Sequence, residues 1–261
     1  MSDVLGHELH GTGPRGVVVL HDWMGDAGEW HQVKPYLDGD DFTYAMADVR
    51  GYGRSRALTG DYSAAEIAAD IVALSDHLGW SRFDIVGHSM TGMAVQRALV
   101  DDAGRAEPRI GKAVAVTPVG ANGYPADDQT KQFLLAAVDD AELAVQAFTM
   151  LTGGKLGPSW ARQRTERFNA STDKAAAKGY YSMWLESDFS AEVVAARPTT
   201  PLLVVGGRND LPGFDEATFD ATIGEWFPNV TFAYITDAGH YPMQETPIRL
   251  ATLIEEHLSD R

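Results

Sequence analysis

No cysteine occurs anywhere in the 261 residues. Disulfides, thiolate zinc sites, iron–sulfur clusters and cysteine nucleophiles are therefore excluded. Basic residues are scarce too: 21 Lys and Arg stand against 37 Asp and Glu, leaving a formal charge of −16. A surface of that sign repels phosphate backbones and anionic bilayers, so neither a nucleic acid nor a membrane is expected as a partner. No apolar run approaches the roughly 20 residues that span a bilayer. The first eleven residues lack the basic start and apolar stretch of a secretory signal. A cytoplasmic location is the expectation. What the chain does have is an ordinary globular balance, 44% hydrophobic and 22% charged, enough to close a full core.

Strand and helix patterns alternate along the chain. Strands are predicted at 4–10, 16–20 (GVVVL), 42–47, 83–86 and 112–117, with helices at 30–37, 63–78 and 89–100. Ser63 with Glu66 three residues on reads as a capping box, and Ile67, Ile71, Leu74 and Leu78 then recur at helical spacing. From 120 to 197 the alternation stops. Helical patterns appear at 128–138, 141–151, 160–169 and 174–186, with no convincing strand. It resumes with a strand at 201–205, a helix at 215–227 and a strand at 230–235. A last helix has Thr246 as N-cap and Pro247 at its first position. Repeated strand–helix units predict an α/β fold, a mostly parallel central sheet with helices on both faces. The helical block reads as an insertion: residues 1–119 and 198–261 form the core and 120–197 a cap. Open parallel sheets bind ligands beyond the carboxyl ends of their strands, so the turns there are expected to line a site.

Three of those turns hold reactive residue types. They are Gly87-His88-Ser89-Met90-Thr91-Gly92, then Gly206-Gly207-Arg208-Asn209-Asp210, then Thr236-Asp237-Ala238-Gly239-His240-Tyr241-Pro242. Read locally, Ser89 is a helix N-cap. A serine hydroxyl becomes a nucleophile only beside an imidazole, whose tautomer a carboxylate must fix. Ser, Asp and His follow in that order, each just past a strand. Asp215 is a rival for the acid.

These turns, with His21-Asp22 after the second strand, the segment DVRGYGRS at 48–55 and the run GHYPMQETP at 239–247, resemble an α/β-hydrolase. The resembling type carries a helical cap inserted after the sixth strand of the core, and the likeness covers nearly the whole length. It implies Ser89 as nucleophile on a sharp strand-to-helix turn, with Gly87 permitting close approach of the chains. It implies Asp210 as acid and His240 as base, and an oxyanion hole made by the backbone N–H groups of Trp23 and Met90. No cofactor and no metal are implied.

Two positions depart from the family pattern. Thr91 stands where the elbow usually has glycine, with Gly92 one place later. Asp22 stands where the glycine of a His-Gly pair is usual, the pair here being His21-Asp22. Its carboxylate is expected to accept from the N–H of Met24, two residues on, and so hold the Trp23 N–H towards the site. His21 is expected to support that loop and His88 to pack beside the nucleophile. These two, with Asp22, Trp160, Trp184 and Tyr241, are the candidates for the pocket wall. Most of the cap's aromatics are expected to pack the cap onto the core.

The resemblance implies a serine hydrolase acting on a small, fairly apolar carboxylic ester through an acyl-enzyme. Serine at the elbow argues against the dehalogenase and epoxide-hydrolase branches, which place aspartate there. Lactones, carbon–carbon bonds beside a ketone and peracid formation are alternatives on the same triad. A cofactor-free oxygenase and a slow-turnover ligand receptor are more distant ones. The oligomeric state, a homodimer included, is left open.

Overall fold

The computed structural model describes residues 4–259. Its strands are β1 (His7–His10), β2 (Arg15–Leu20), β3 (Phe42–Ala47), β4 (Phe83–His88), β5 (Ile110–Val116), β6 (Leu202–Gly207) and β7 (Val230–Ile235). They form one sheet in the order β1-β3-β2-β4-β5-β6-β7. Only β1 runs antiparallel, pairing His7 with Ala47 along β3. The inner strands β2, β4 and β6 are apolar and buried almost throughout, as strands covered on both faces must be. The edges β1 and β7 keep a half-exposed face.

The chain moves outward from β2 to β3, then returns to start β4 on the other side of β2. The crevice of such a sheet opens where the direction of travel reverses, beyond the carboxyl ends of β2 and β4. These two strands are in register, Leu20 opposite Gly87. The turns that follow them therefore leave the sheet side by side.

Helix α1 (Ala64–His77) starts as the sequence predicts, with Ser63 Oγ accepting from Glu66 N–H at 3.1 Å. The Glu66 carboxylate overshoots the reciprocal bond and takes the N–H groups of Tyr62 (2.9 Å) and Asp61 (3.1 Å). Helix α2 (Met90–Ala103) follows β4 directly. The helix expected at 30–37 is two 3₁₀ turns, Ala27–Gln32 and Lys34–Tyr36. Pro35 has no N–H to continue an α-helical ladder.

Between β5 and β6, among the described residues, lie helices and no strand: α3 (Asp128–Ala137), α4 (Ala141–Leu151), α5 (Pro158–Ser171), α6 (Lys174–Glu186) and α7 (Ser190–Ala196). The last of these is absent from the sequence reading. Counted along this chain, the insertion follows the fifth strand. The expected helix at 215–227 is broken into α8 (Glu216–Ala221) and α9 (Ile223–Trp226). At the break Thr222 turns its hydroxyl back onto the Thr218 carbonyl, a bond that competes with the helical ladder. A short α10 (Pro242–Glu245) precedes α11 (Pro247–Leu258). Thr246 makes no side-chain cap for α11; its hydroxyl donates back to Pro242.

The inserted helices are tied to the turns beyond the sheet by specific polar contacts. Trp23 Nε1–H donates to the Ala177 carbonyl at 2.7 Å, and His240 N–H donates to the Leu151 carbonyl at 3.1 Å. Arg167 on α5 donates from Nε to both oxygens of buried Asp26, at 2.7 and 2.8 Å. Burial disfavours the Asp26 charge, but Arg167 and the Gly28 N–H outweigh it and hold the carboxyl below its ordinary value of 3.8. A carboxyl lowered on folding adds stability above its unfolded value and loses it as the pH falls through the folded one. We therefore expect urea midpoints of the wild-type protein to drop as the pH is lowered past 3.8. Arg167→Ala should lose about 1 kcal/mol at neutral pH, a modest figure because the guanidinium is half-exposed, and should flatten the acid limb.

Candidate active site

Ser89 sits between the end of β4 and the start of α2 with φ 53° and ψ −111°, a backbone that few non-glycine residues adopt. It makes no side-chain bond to the helix N-terminus, so it is not an N-cap serine. Its Oγ instead lies 2.9 Å from Nε2 of His240. The other ring nitrogen of His240, Nδ1, lies 2.8 and 3.1 Å from the two carboxylate oxygens of Asp210. Three residues from three turns thus form one hydrogen-bonded line. Asp215 is elsewhere: it caps α8 by accepting from Thr218 N–H.

The residues around Ser89 explain how its turn is held. A Cβ on Gly87 would come within 2.5 Å of the Thr91 carbonyl, and one on Gly92 within 2.6 Å of Pro118 Cβ. The close approach served by the family's elbow glycine is met here at Gly92. Thr91 is fully buried, and its hydroxyl accepts from His88 N–H (2.9 Å) and donates to His88 C=O (3.0 Å). It therefore staples the first turn of α2 to the last residue of β4.

His240 is held through its backbone. Its carbonyl accepts from His88 Nε2–H at 2.8 Å and from Thr117 Oγ1–H at 3.1 Å. A carbonyl only accepts, so the His88 proton is on Nε2, and Nδ1 faces Glu29 Oε1 at 3.0 Å. His88 is fully buried and absent from the cleft wall, so the expectation that it lines the pocket is corrected: it supports His240. His21 is likewise fully buried behind the wall. It donates from Nδ1 to the Asp22 carbonyl (2.7 Å) and accepts at Nε2 from Val49 N–H (3.1 Å), linking the turns after β2 and β3.

Asp22 departs from expectation. Its carboxylate does not reach the Met24 N–H. It accepts from the Tyr241 hydroxyl at 2.5 Å and faces Arg164 of α5 at 3.4 Å. Its own N–H donates to Glu29 Oε1 at 3.2 Å. Burial opposes its charge, but Arg164 and the hydrogen bonds hold the carboxyl well below the usual range. Burial and the neighbouring Asp22 charge push Glu29 the other way, well above its ordinary value. Burial also lowers His88. The contact between Glu29 Oε1 and His88 Nδ1 therefore holds one shared proton, because His88 Nε2 already donates to the His240 carbonyl. The Tyr241 hydroxyl, raised by burial and by Asp22, remains a donor. No reading of the sequence pointed to Glu29 or Arg164; His88 and Arg164, far away in the chain, complete the surroundings of Glu29, and Arg164 itself meets Asp22 from 142 residues away.

Trp23 lines the same cleft as Ser89, Met90 follows Ser89 at the start of α2, and the N–H groups of both donate to no protein acceptor among the described residues. Above them a cleft of about 700 Å³, its open mouth included, runs between the sheet turns and the inserted helices. Asp22, Trp184 and Tyr241 line it as expected, together with Phe133, Met150 and Phe214. Trp160 does not. It packs edge-on against Phe148 and Tyr241, with its Nε1–H on Gln244 Oε1 at 2.5 Å, so it fastens the insertion from behind. Among the described residues no Lys or Arg lines the cleft.

Asp22, Glu29 and His88 offer three oxygen and nitrogen atoms within 4.8 Å of one another. They do not fit a metal. The Arg164 guanidinium already faces both carboxyls, at 3.4 and 3.5 Å, and supplies the positive charge a cation would bring.

Comparison with known proteins agrees with this fold. A family model described as "alpha/beta hydrolase fold" matches residues 16–247. The fluoroacetate dehalogenase of a Burkholderia species is 34% identical over 96 residues, 35% of this chain and 31% of that protein. The pimeloyl-[acyl-carrier protein] methyl ester esterase of Salmonella newport is 34% identical over 86 residues, 32% of this chain and 33% of that protein. The match thus spans about a third of the length of these relatives. The crystal structure of bromoperoxidase from Bacillus anthracis superposes with a TM-score of 0.82 at 20% identity, covering 97% of this chain and 95% of that one. At that identity the likeness is one of fold. Among the described residues no helix is long and apolar enough to cross a membrane.

The Thr91 staple is directly testable. Thr91→Gly restores the family's usual residue, removes two buried hydrogen bonds and adds glycine's helix penalty. It should lower unfolding stability by about 2 kcal/mol in urea titrations, whereas Thr91→Ser should keep most of it.

Proposed function

The chain belongs to the α/β-hydrolase fold family, and on that footing we propose that it is a serine hydrolase of small, uncharged, fairly apolar carboxylic esters. The observation that carries this reading is the line Ser89 Oγ to His240 Nε2 (2.9 Å), and His240 Nδ1 to Asp210 (2.8 Å). Asp210 accepts from Nδ1–H, which leaves Nε2 bare to take the Ser89 proton. Ser89 Oγ then bonds to the ester carbonyl carbon, and the Trp23 and Met90 N–H groups receive the oxyanion. As the tetrahedral adduct collapses, the carbon–alkoxide bond breaks and the alcohol leaves with the proton from His240. Water, deprotonated by His240, attacks the acyl carbon; Ser89 departs with that proton and the acid is released.

The cleft supports the substrate class. Its wall is almost wholly apolar and, among the described residues, carries no Lys or Arg, while the −16 overall charge disfavours an anionic substrate. The fluoroacetate relative is named for such an anion. We assign the helices of 120–197 as a cap that selects the acyl chain. The same attack opens a lactone, so lactones belong in the substrate screen beside esters.

A fluorophosphonate should label Ser89 stoichiometrically, and Ser89→Ala should lose on the order of 10³-fold or more of ester turnover. Labelling elsewhere overturns the assignment. Asp210→Asn should lose on the order of 10⁴-fold in kcat with the fold intact, while Asp215→Asn should keep kcat and lose at most about 1 kcal/mol of stability. Within the cap, Trp184→Ala should shift the preference between short and long p-nitrophenyl esters. Trp160→Ala should lower the unfolding midpoint and leave that preference unchanged. The reverse pattern would remove Trp184 from the substrate wall.

A further inference from the structure

Behind the oxyanion turn, four segments far apart in the chain meet at one buried point. A Cβ built on Gly25 would lie 2.0 Å from Asp22 Oδ1, 2.7 Å from Glu29 Oε2 and 3.0 Å from Arg164 Nη2. Glycine is required there because these three charged-type atoms fill the space. Asp22 and Glu29 come from the turns after β2, His88 from the end of β4, Tyr241 from the His240 turn and Arg164 from α5. All are nine-tenths buried or more. The guanidinium also stacks over the Phe148 and Tyr241 rings, 5.4 and 5.3 Å from their centres.

We propose that Arg164 is a positioning residue for the reaction: it balances a single negative charge held by the Asp22–Glu29 pair and thereby fixes the Trp23 N–H and the His240 turn relative to Ser89. The proposal rests on the serine-hydrolase reading.

The hydrogen bonds fix the charge count. His88 Nε2 must donate, because its partner is the His240 carbonyl. The 3.0 Å contact of Nδ1 with Glu29 Oε1 therefore contains the one proton these two groups share. With that proton present, the pair Glu29–His88 is neutral overall, and Asp22 supplies the only charge to answer Arg164. Asp26, the next carboxylate, is answered by Arg167. The cluster is thus electrically closed. Removing the guanidinium would leave Asp22 as an unpaired buried anion two bonds from the backbone that carries the Trp23 N–H. A carboxylate in that state repels the developing oxyanion and draws the turn towards solvent or a new donor. A displacement of about 1 Å at such a centre lowers turnover on the order of a hundredfold.

The test compares three variants by kcat and KM on a two-carbon p-nitrophenyl ester, and by urea midpoint. Arg164→Met should lower kcat on the order of a hundredfold with KM within about threefold, because the short ester does not reach α5. It should also lower the midpoint. Adding Asp22→Asn to Arg164→Met removes the stranded charge and should recover at least about tenfold of the lost kcat, and part of the midpoint. Two truncations in an ordinary packed cluster would add instead. Glu29→Gln offers His88 Nδ1 an amide N–H at the cost of the acceptor that the Asp22 N–H uses, keeps the charge count, and should lower the midpoint by less than Arg164→Met does.

A double variant no better than the single one overturns the proposal. So does wild-type kcat in Arg164→Met, or a midpoint loss in Glu29→Gln as large as in Arg164→Met. If Arg164→Met fails to fold, the double variant decides alone: folded and active supports the proposal, unfolded overturns it. If the wild-type protein turns over no ester at all, the serine-hydrolase reading fails, while the three midpoints still decide the charge balance.

Discussion

The backbone of Ser89, turned to φ 53° between a buried strand and a buried helix, is the constraint around which the centre of the molecule is arranged. Such a conformation is unfavourable by about 1–3 kcal/mol and survives only when its surroundings over-determine it. Here they do. Ser89 N–H donates to the Val116 carbonyl, and its own carbonyl accepts from Gly92 and Val119. Thr91 clamps His88 from both its N–H and its C=O. Gly87 and Gly92 allow the chains to come close enough for those bonds to form. The result is a hydroxyl thrust out of the sheet, beside a helix N-terminus whose first N–H has no protein acceptor among the described residues.

The second fixed point is the His240 carbonyl. Donors from the ends of β4 and β5 converge on it, and the N–H of the same residue is tied to α4 in the inserted helices. The imidazole is therefore positioned by the sheet on one side and by the insertion on the other. The Asp22–Arg164 contact repeats that arrangement for the turn that carries Trp23. The inserted helices do more than cover a cleft: they supply polar contacts to both His240 and the Asp22–Trp23 turn. The inserted helices thus contact the cleft and the turns behind it at once, through residues such as Trp160 and Arg164 that do not themselves line the cleft.

Local chemistry is what the sequence determined by itself. The strands at 42–47 and 230–235 and the helices at 141–151 and 174–186 are legible because side-chain periodicity and capping act over a few residues. The order of Ser89, Asp210 and His240, each after a strand, was legible because a parallel sheet delivers every such turn to the same edge. Pro35 and Thr222 broke expected helices through a missing N–H and a competing hydroxyl, local causes that periodicity alone does not weigh. The tertiary structure alone decided the partners of Asp22, which lie 142 and 219 residues away and replace the near bond to Met24. It alone placed Trp184 on the cleft and Trp160 behind it, and drew Glu29 and Arg164 to the centre. The reason is physical: a buried charge takes whichever opposite charge or hydroxyl the packed core brings within 3–4 Å. That choice depends on how whole elements pack, and no spacing along the chain records it.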